Sequence, residues 1–236
     1  MKFSASFDKK KLSQTSNGVE IIPTVVPHSL ADVSAARERY GGITPHLHID
    51  IADGVFAPNT TWTLGPTERL PESGSAAYEV HLMVTHPLQQ GLSFVRAGAK
   101  RIIAHVESFD HAEQASEVFD MWYKAGAQEI GIAILLATQL EELTFYLQLC
   151  DFVHVMTIEK IGKQGFAFDE RAIDRVAQLR AKYPDLTIST DGGEKEDNID
   201  DLARAGASRF CVGSTLAKAK DPAKEYSRLL NAAAAV

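Results

Sequence analysis

One short stretch decides the fold and suggests the chemistry: His46-Leu47-His48-Ile49-Asp50-Ile51-Ala52-Asp53-Gly54. Its apolar side chains, Leu47, Ile49 and Ile51, alternate with the polar side chains of His48 and Asp50, and a period of two is typical of a β-strand. An imidazole and a carboxylate therefore project together from a strand whose other face is apolar. Since a buried charge is unfavourable unless it is paired or bound to metal, this stretch predicts a ligand site.

Two further stretches carry side chains of the same kind. The strand-like run Glu79-Val80-His81-Leu82-Met83-Val84 contains one histidine, and Thr187-Ile188-Ser189-Thr190-Asp191-Gly192-Gly193 ends in a carboxylate and a glycine pair. Nitrogen and oxygen ligands from separate strand ends are what a borderline divalent cation binds.

Strand-like and helical segments alternate along the chain. Strands are predicted at 19–26, 45–52, 78–84, 101–106, 129–135, 152–157, 186–190 and 209–212. Helices are predicted near 29–40, 87–97, 111–125, 138–149, 169–183 and 196–205 and from 214 to the end, with a long loop at 54–74. Eight strand–helix alternations predict an α/β fold, a (β/α)8 TIM barrel. We expect one catalytic domain over residues 19–236, after a polar lead-in at 1–18.

Composition excludes several classes of protein. The net charge of −7 disfavours a nucleic-acid-binding or anionic-membrane-binding surface. We see no apolar signal segment, and no apolar run approaches the roughly 18–20 residues that span a bilayer. Cys150 and Cys211 lack a zinc-binding spacing, so we expect buried free thiols and a cytoplasmic protein.

Four residues lie late in their predicted strands, where barrels carry their chemistry: His48, Asp50, His81 and Asp191. Any one of them alone is more often a structural group, but together they favour a divalent metal site. The ion would act as a Lewis acid on an enediolate formed from a ketose. One carboxylate on each face of this planar intermediate, Asp50 and Asp191, would remove and return the proton and so invert the carbon. No organic cofactor is needed.

A phosphate site is predicted beside this centre. Gly192-Gly193 follows the seventh strand and Gly213-Ser214 follows the eighth. The loops at these positions commonly bind phosphate in barrels, because glycine lets backbone N–H groups approach the oxygens. Either pair alone is ordinary turn chemistry.

The sequence resembles the ribulose-phosphate 3-epimerase family from about Ile21 to Leu230. The matching motifs agree in order and spacing: His48-Ile49-Asp50, Asp53-Gly54, Pro58-Asn59, Val80-His81-Leu82-Met83-Val84, Val155-Met156-Thr157, Asp191-Gly192-Gly193, Ala205-Gly206-Ala207 and Gly213-Ser214.

The resemblance implies a (β/α)8 barrel that interconverts ribulose 5-phosphate and xylulose 5-phosphate in the pentose phosphate pathway. It implies the metal ligands His48, Asp50, His81 and Asp191, with both aspartates also serving as the acid–base pair. It implies substrate-binding or phosphate-binding roles for Met83, Met156, Gly162, Gly165, Gly192, Gly193, Gly213 and Ser214. We expect one zinc, iron, manganese or cobalt ion and a homo-oligomer.

The chain departs from the family pattern around the substrate. Pro27 replaces a serine after the first strand, Ala52 replaces a methionine, and Leu135-Leu136 replaces Asn-Pro. The sixth loop, residues 158–165, carries Lys160 and Lys163 where the family has a glycine-rich segment. These lysines either bind a phosphate as point charges or are solvated.

Three functions remain open at this point. The default is 3-epimerisation of ribulose 5-phosphate, and the first alternative is the same chemistry on another ketose phosphate such as allulose 6-phosphate. The second alternative is a barrel that binds a sugar phosphate without turnover, although such a protein has no need of two opposed carboxylates. The related decarboxylases are disfavoured, because no lysine lies between Asp50 and Asp53.

Overall fold

Eight parallel strands close into a barrel in which each strand pairs with the next and β8 pairs with β1. The structure, a computed structural model, describes residues 18–72, 74–162 and 165–235. The strands are β1 (Glu20–Val25), β2 (His46–Ala52), β3 (Ala77–Met83), β4 (Arg101–His105), β5 (Glu129–Ile134), β6 (Phe152–Met156), β7 (Thr187–Asp191) and β8 (Arg209–Val212). The predicted barrel and its eight strands are confirmed, with strand ends within two residues of prediction.

The helices surround the barrel, but the predicted strand–helix alternation is not complete. They are α1 (Leu30–Tyr40), α2 (Pro87–Ala97), α3 (Ala112–Ala125), α4 (Leu143–Tyr146), α5 (Arg171–Lys182), α6 (Glu196–Ala205), α7 (Ser214–Lys218) and α8 (Pro222–Ala234). No helix lies between β2 and β3 in the described part of residues 53–76. Pro58, Pro66 and Pro71 lack the N–H groups that a helix there would need.

Two predicted helices differ from those observed. The helix expected at 138–149 is one α-helical turn, because residues 138 and 142–144 donate to the carbonyl of the third residue back, as in Thr138 N to Leu135 O. The final helical region is divided between α7 and α8, since Pro222 begins a new helix after the cap at Asp221.

The alternation in β2 positions the site. Leu47, Ile49 and Ile51 are fully buried in the main hydrophobic core, which includes residues of the surrounding helices. His48 and Asp50 face the barrel interior, and Asp50 is paired in register with His81 of β3. On the other side of the barrel, Met156 is paired with Asp191, the last residue of β7.

The lower end of the barrel interior holds a network of ion pairs. Its members are the first residues of four strands: Glu20, Arg101, Glu129 and Arg209. Arg101 Nη1 lies 2.7 Å from Glu20 Oε2, and Arg209 Nη1 lies 2.7 Å from Glu129 Oε2. Each buried charge therefore has a partner of opposite sign within the network.

The expectation of buried free thiols is met for Cys211 and only in part for Cys150, and the membrane expectation agrees with the described helices. Both cysteines are free, with Cys211 buried and Cys150 only partly so. None of the helices described is long and apolar enough to span a membrane.

Candidate metal centre and active site

The four residues predicted to bind metal converge at the upper end of the barrel interior. Asp50 Oδ1 lies 3.2 Å from His48 Nε2 and 3.0 Å from His81 Nδ1. Asp191 Oδ2 lies 3.7 Å from the same His81 nitrogen. Both histidines are fully buried and both aspartates nearly so. Strands β2, β3 and β7 thus direct these side chains toward one point.

The separations fit a single divalent cation. Bonds of about 2.0–2.2 Å in a tetrahedral site place neighbouring ligand atoms about 3.3 Å apart, and the observed distances of 3.0–3.7 Å bracket that value. One group of ligand atoms that could hold an ion, all within 4.8 Å of one another, comes from His48, His81, His154 and Asp191, with His154 in the place of the predicted Asp50. Mixed imidazole and carboxylate donors suit a borderline metal.

Glu79 orients His48 from below. Its Oε1 accepts a hydrogen bond from His48 Nδ1 at 2.6 Å, inside the barrel. This bond holds the imidazole proton on Nδ1, so that Nε2 faces Asp50 and the ion position. Burial raises the pKa of Glu79, but the hydrogen bond and charge of His48 outweigh it and hold that pKa well below its ordinary value.

A second carboxylate–histidine arrangement supports His81. Its Nε2 lies 2.8 Å from His105 Nε2, and His105 Nδ1 lies 3.4 Å from Glu107 Oε2. A ligand role for His81 Nδ1 requires the proton on Nε2, where it is donated to His105. His105 then carries its own proton on Nδ1, facing Glu107, so the three groups favour a consistent set of tautomers.

The two aspartates differ in their proton affinity. Burial raises the pKa of Asp50, but the charge of His48 and hydrogen bonds from His48 and His81 lower it well below its ordinary value. Burial and the neighbouring Asp50 raise the pKa of Asp191 to about 7. Burial lowers the pKa of His81 to about 3, despite its hydrogen bond to Asp50. A bound cation would favour ionised Asp191, because nearby positive charge stabilises a carboxylate.

The structure adds two residues to the centre that we did not predict. His154 and Glu79 lie in the barrel interior, and each is fully or almost fully buried. Each lies two positions before a predicted site residue of its strand, Met156 or His81, and so shares its face. The same alternation that predicted the direction of His48 and Asp50 could therefore have predicted that Glu79 and His154 point into the barrel.

The predicted substrate-binding residues surround one pocket directly above the metal centre. Asp50 and Asp191 lie on its floor, and its walls include all of the others: Met83, Met156, Gly162, Gly165, Gly192, Gly193, Gly213 and Ser214. Thr24 of β1 and Phe166 also line it. Lys160 is exposed, and Lys163 lies outside the described residues.

The sixth loop covers this pocket with apolar side chains. Ile158 and Ile161 belong to one buried cluster with Ala52, Met83 and Met156, and Leu135 packs against the cluster. A Cβ added at Gly162, which has φ +93°, would lie only 2.8 Å from Ala57 Cβ. The close approach requires glycine there and joins the sixth loop to the loop after β2.

The seventh loop contains a buried carboxylate that sequence analysis missed. Glu194 Oε2 accepts a hydrogen bond of 2.7 Å from Gly192 N, and its Oε1 lies 2.9 Å from Thr157 Oγ1. Gly192 N therefore already has a partner within the predicted phosphate site. Burial and the charge of Asp191 raise the pKa of Glu194 to about 8, although these hydrogen bonds oppose the shift.

Comparison with known proteins identifies relatives over most of the chain. The family described as the ribulose-phosphate 3 epimerase family matches residues 24–217. The cytoplasmic isoform of ribulose-phosphate 3-epimerase from Oryza sativa subsp. japonica is 31% identical over 89% of this chain and 92% of its own length. Ribulose-phosphate 3-epimerase from Chlamydia muridarum is 32% identical over 84% of this chain and 87% of its own length.

Solved structures share the architecture at much lower identity. KGPDC from Streptococcus mutans has a TM-score of 0.67 and 11% identity, covering 91% of this chain and 97% of that one. The 3-hexulose-6-phosphate synthase from Salmonella typhimurium has a TM-score of 0.65 and 12% identity, covering 91% and 98%. At this identity the likeness shows the barrel fold alone.

Proposed function

Because the chain belongs to the ribulose-phosphate 3-epimerase family and is therefore an isomerase that acts on carbohydrates, we propose that it catalyses the metal-dependent 3-epimerisation of a ketose phosphate. Ribulose 5-phosphate and xylulose 5-phosphate are the default pair. The observation that carries the proposal is the convergence of two carboxylates, Asp50 and Asp191, on the floor of one pocket beside buried histidines.

The two aspartates divide the proton transfer. In one direction of the reaction ionised Asp50 would accept the proton from C3, and protonated Asp191, whose pKa is raised to about 7, would return its own proton to the opposite face. In the reverse direction the two groups would exchange these roles. Environments that push the proton affinities of two neighbouring groups apart are typical of an acid–base pair. His48 Nε2 and His81 Nδ1 lie 3.2 Å and 3.0 Å from Asp50 Oδ1, so the carboxylate and both ligating nitrogens face the same proposed ion position.

One divalent cation, zinc, iron, manganese or cobalt, completes the proposed centre. His48, Asp50, His81 and Asp191 would hold it, and it supplies Lewis-acid stabilisation of the negative charge that develops on the substrate oxygens. Glu79 and the His105–Glu107 pair keep the two histidines in ligating tautomers.

The upper wall of the pocket is the proposed phosphate site. Gly193, Gly213 and Ser214 lie at the ends of β7 and β8, where barrels commonly bind phosphate. Gly162 and Gly165 line the same pocket from the sixth loop. We assign Gly192 to shaping the loop, because its N–H is bonded to Glu194.

A second candidate substrate is a hexulose 6-phosphate such as allulose 6-phosphate. Ala52 contributes a small side chain to the cluster under the sixth loop, which favours a roomier pocket. Leu135 packs against the same cluster and fills part of that space. The chemistry at C3 would be unchanged. We further propose a cytoplasmic homo-oligomer that acts in the pentose phosphate pathway.

Proton exchange in deuterated water tests this function. Metal-loaded protein would be incubated with ribulose 5-phosphate or allulose 6-phosphate and followed by NMR. Deuterium entering C3 together with the 3-epimer is expected, and the sugar that exchanges faster identifies the substrate class. Absence of exchange with both sugars, in protein shown to contain metal, would contradict the proposal and favour a barrel that only binds a sugar phosphate.

A further inference from the structure

We propose that His154 is an additional ligand of the ion, so that three imidazoles rather than two contribute to the metal centre of this chain. The inference rests on the metal centre of the proposed function and adds to it a residue from β6. It concerns the ligand set and the choice of metal, rather than the identity of the sugar.

The first observation is an unpartnered nitrogen. His154 is fully buried, and its Nε2 has no hydrogen-bond partner among the described residues. A buried polar group left unpaired destabilises the folded state, so such an atom calls for a partner. The atom points into the site, because it lies 3.7 Å from Asp191 Oδ2.

The second observation is the position of His154 relative to the other ligands. Its ligating atom and those of His48, His81 and Asp191 all lie within 4.8 Å of one another. The Nε2 to Asp191 Oδ2 distance of 3.7 Å equals the distance from His81 Nδ1 to the same oxygen. His154 therefore stands in the same geometric relation to Asp191 as a residue already assigned to the centre.

The imidazole is held in the orientation that a ligand needs. His154 Nδ1 lies 3.1 Å from Ser189 Oγ on the neighbouring strand, which can accept the Nδ1 proton. That bond leaves the lone pair on Nε2. The ring also stacks on His48, with centroids 5.5 Å apart and planes 14° apart. Its centroid lies 4.8 Å from the ring centroid of His81.

A hydrogen bond to Asp191 does not account for the position of His154 Nε2. A purely structural role for Nε2, as a hydrogen-bond donor to Asp191, is disfavoured because 3.7 Å exceeds hydrogen-bond range.

A third imidazole changes which metal the centre prefers. Imidazole suits zinc, iron, copper and nickel, whereas carboxylate-rich and water-rich sites suit magnesium, calcium and manganese. We therefore expect zinc, cobalt or iron to bind this chain in preference to manganese.

X-ray absorption spectroscopy on the unsubstituted, zinc-loaded protein tests the proposal without a variant. Multiple scattering from three imidazole rings is expected. Scattering that accounts for only two rings would overturn the assignment of His154.

A cobalt titration of three proteins gives the second test. His154→Leu should lower Co²⁺ affinity by at least about tenfold, which is the smallest loss expected even for a residue that only orients a ligand. It should also change the visible absorption bands of the bound ion, which report on the ligand set itself. Phe152→Leu is the matched control, since Phe152 lies on the same strand and face one layer lower. The control should bind Co²⁺ with unchanged affinity and spectrum.

The outcomes separate this inference from the proposed function. Unchanged cobalt affinity and spectrum in His154→Leu would overturn the ligand role of His154 alone. Failure of the unsubstituted protein to bind cobalt or zinc would overturn both this inference and the metal centre of the proposed function.

Discussion

The two ends of the barrel interior differ in how they neutralise buried charge. At the lower end, two arginines and two glutamates from the starts of four strands pair with one another: Glu20, Arg101, Glu129 and Arg209. At the upper end, Asp50 and Asp191 meet histidines, of which at least His81 is neutral. The lower layer is complete within the chain, whereas in the upper layer the charge of His48 is shared among Asp50, Glu79 and Asp191, and the pKa of Asp191 stays raised. A buried layer of this second kind indicates a cation site.

Glu79 connects the two layers. One of its oxygens accepts the proton of His48 Nδ1, and the other lies 3.7 Å from Arg101 Nη1. The lower network thereby helps to fix the imidazole that faces the ion. We expect substitutions in the two layers to affect stability and function separately, because the ion pairs of Glu129 and Arg209 are made within the lower layer.

The largest expected effect is on the upper layer. Asp191→Asn removes one acid–base group and roughly preserves the side chain's shape, so kcat should fall by about 10²–10⁴-fold. Steady-state epimerisation assays measure this loss, and circular dichroism should show an intact barrel. Near-normal turnover in the variant would rule out a mechanism with two carboxylates.

A substitution in the lower layer should instead lower stability and leave metal binding intact. Arg101→Met leaves Glu20 and Glu129 without a full set of partners, and breaking a buried ion pair costs roughly 3–5 kcal/mol. Urea unfolding measures this loss of stability. The folded fraction should still bind one metal ion per chain. Loss of metal binding without loss of stability would contradict the assignment of stability to the lower layer and of metal binding to the upper layer.

The connection between the layers predicts a smaller effect. Glu79→Gln weakens the acceptor of the His48 Nδ1 proton, and changes of this kind lower metal affinity by about 10–100-fold. Competition with a metal-binding dye measures the affinity. Glu129→Gln is the matched control, because Glu129 is also a glutamate of the barrel interior and its ion pairs are with Arg101 and Arg209 of the lower layer. Equal affinities in the two variants would contradict the orienting role of Glu79.

The pH dependence of the free energy of unfolding tests whether Glu194, in the seventh loop, is protonated in the folded protein. Glu194 has a folded pKa of about 8 against an ordinary value of 4.5. Between these values the folded protein keeps a proton that the unfolded chain has lost, so stability falls as pH rises, by up to about 1.4 kcal/mol per pH unit. Glu194→Gln should flatten this slope when unfolding is measured from pH 5 to 8. The same slope in both proteins would mean that Glu194 is ionised when folded.

Much of this comparison could be predicted from local sequence. The alternation of apolar and polar residues in β2 and β3 predicted that His48, Asp50 and His81 point into the barrel. The alternation of strand-like and helical segments along the chain predicted the barrel itself. Glu20 and Arg101, in contrast, stand at the starts of separate strands, where single charges are usually solvent-facing. Only closure of the barrel brings them together, so their pairing has no local signal.

The same reason explains what was missed at the upper end. His154 lies in the apolar run of β6, and its role depends on the distance to Asp191 across the barrel. Glu194 follows a glycine pair and looks like a loop carboxylate, but its burial depends on contacts with Thr157 on another loop. Local sequence patterns indicate the direction in which a side chain points. Its contacts depend on which strands and loops the closed barrel brings next to it.

The most direct test of the account is metal removal and restoration in the unsubstituted protein. Chelation should abolish epimerisation and lower the melting temperature, because an ion at 100 times its dissociation constant stabilises the folded state by about 2.7 kcal/mol. Adding back zinc or cobalt should restore both properties at one ion per chain. Full epimerase activity in protein shown to be free of metal would contradict the claim that a cation completes the upper layer.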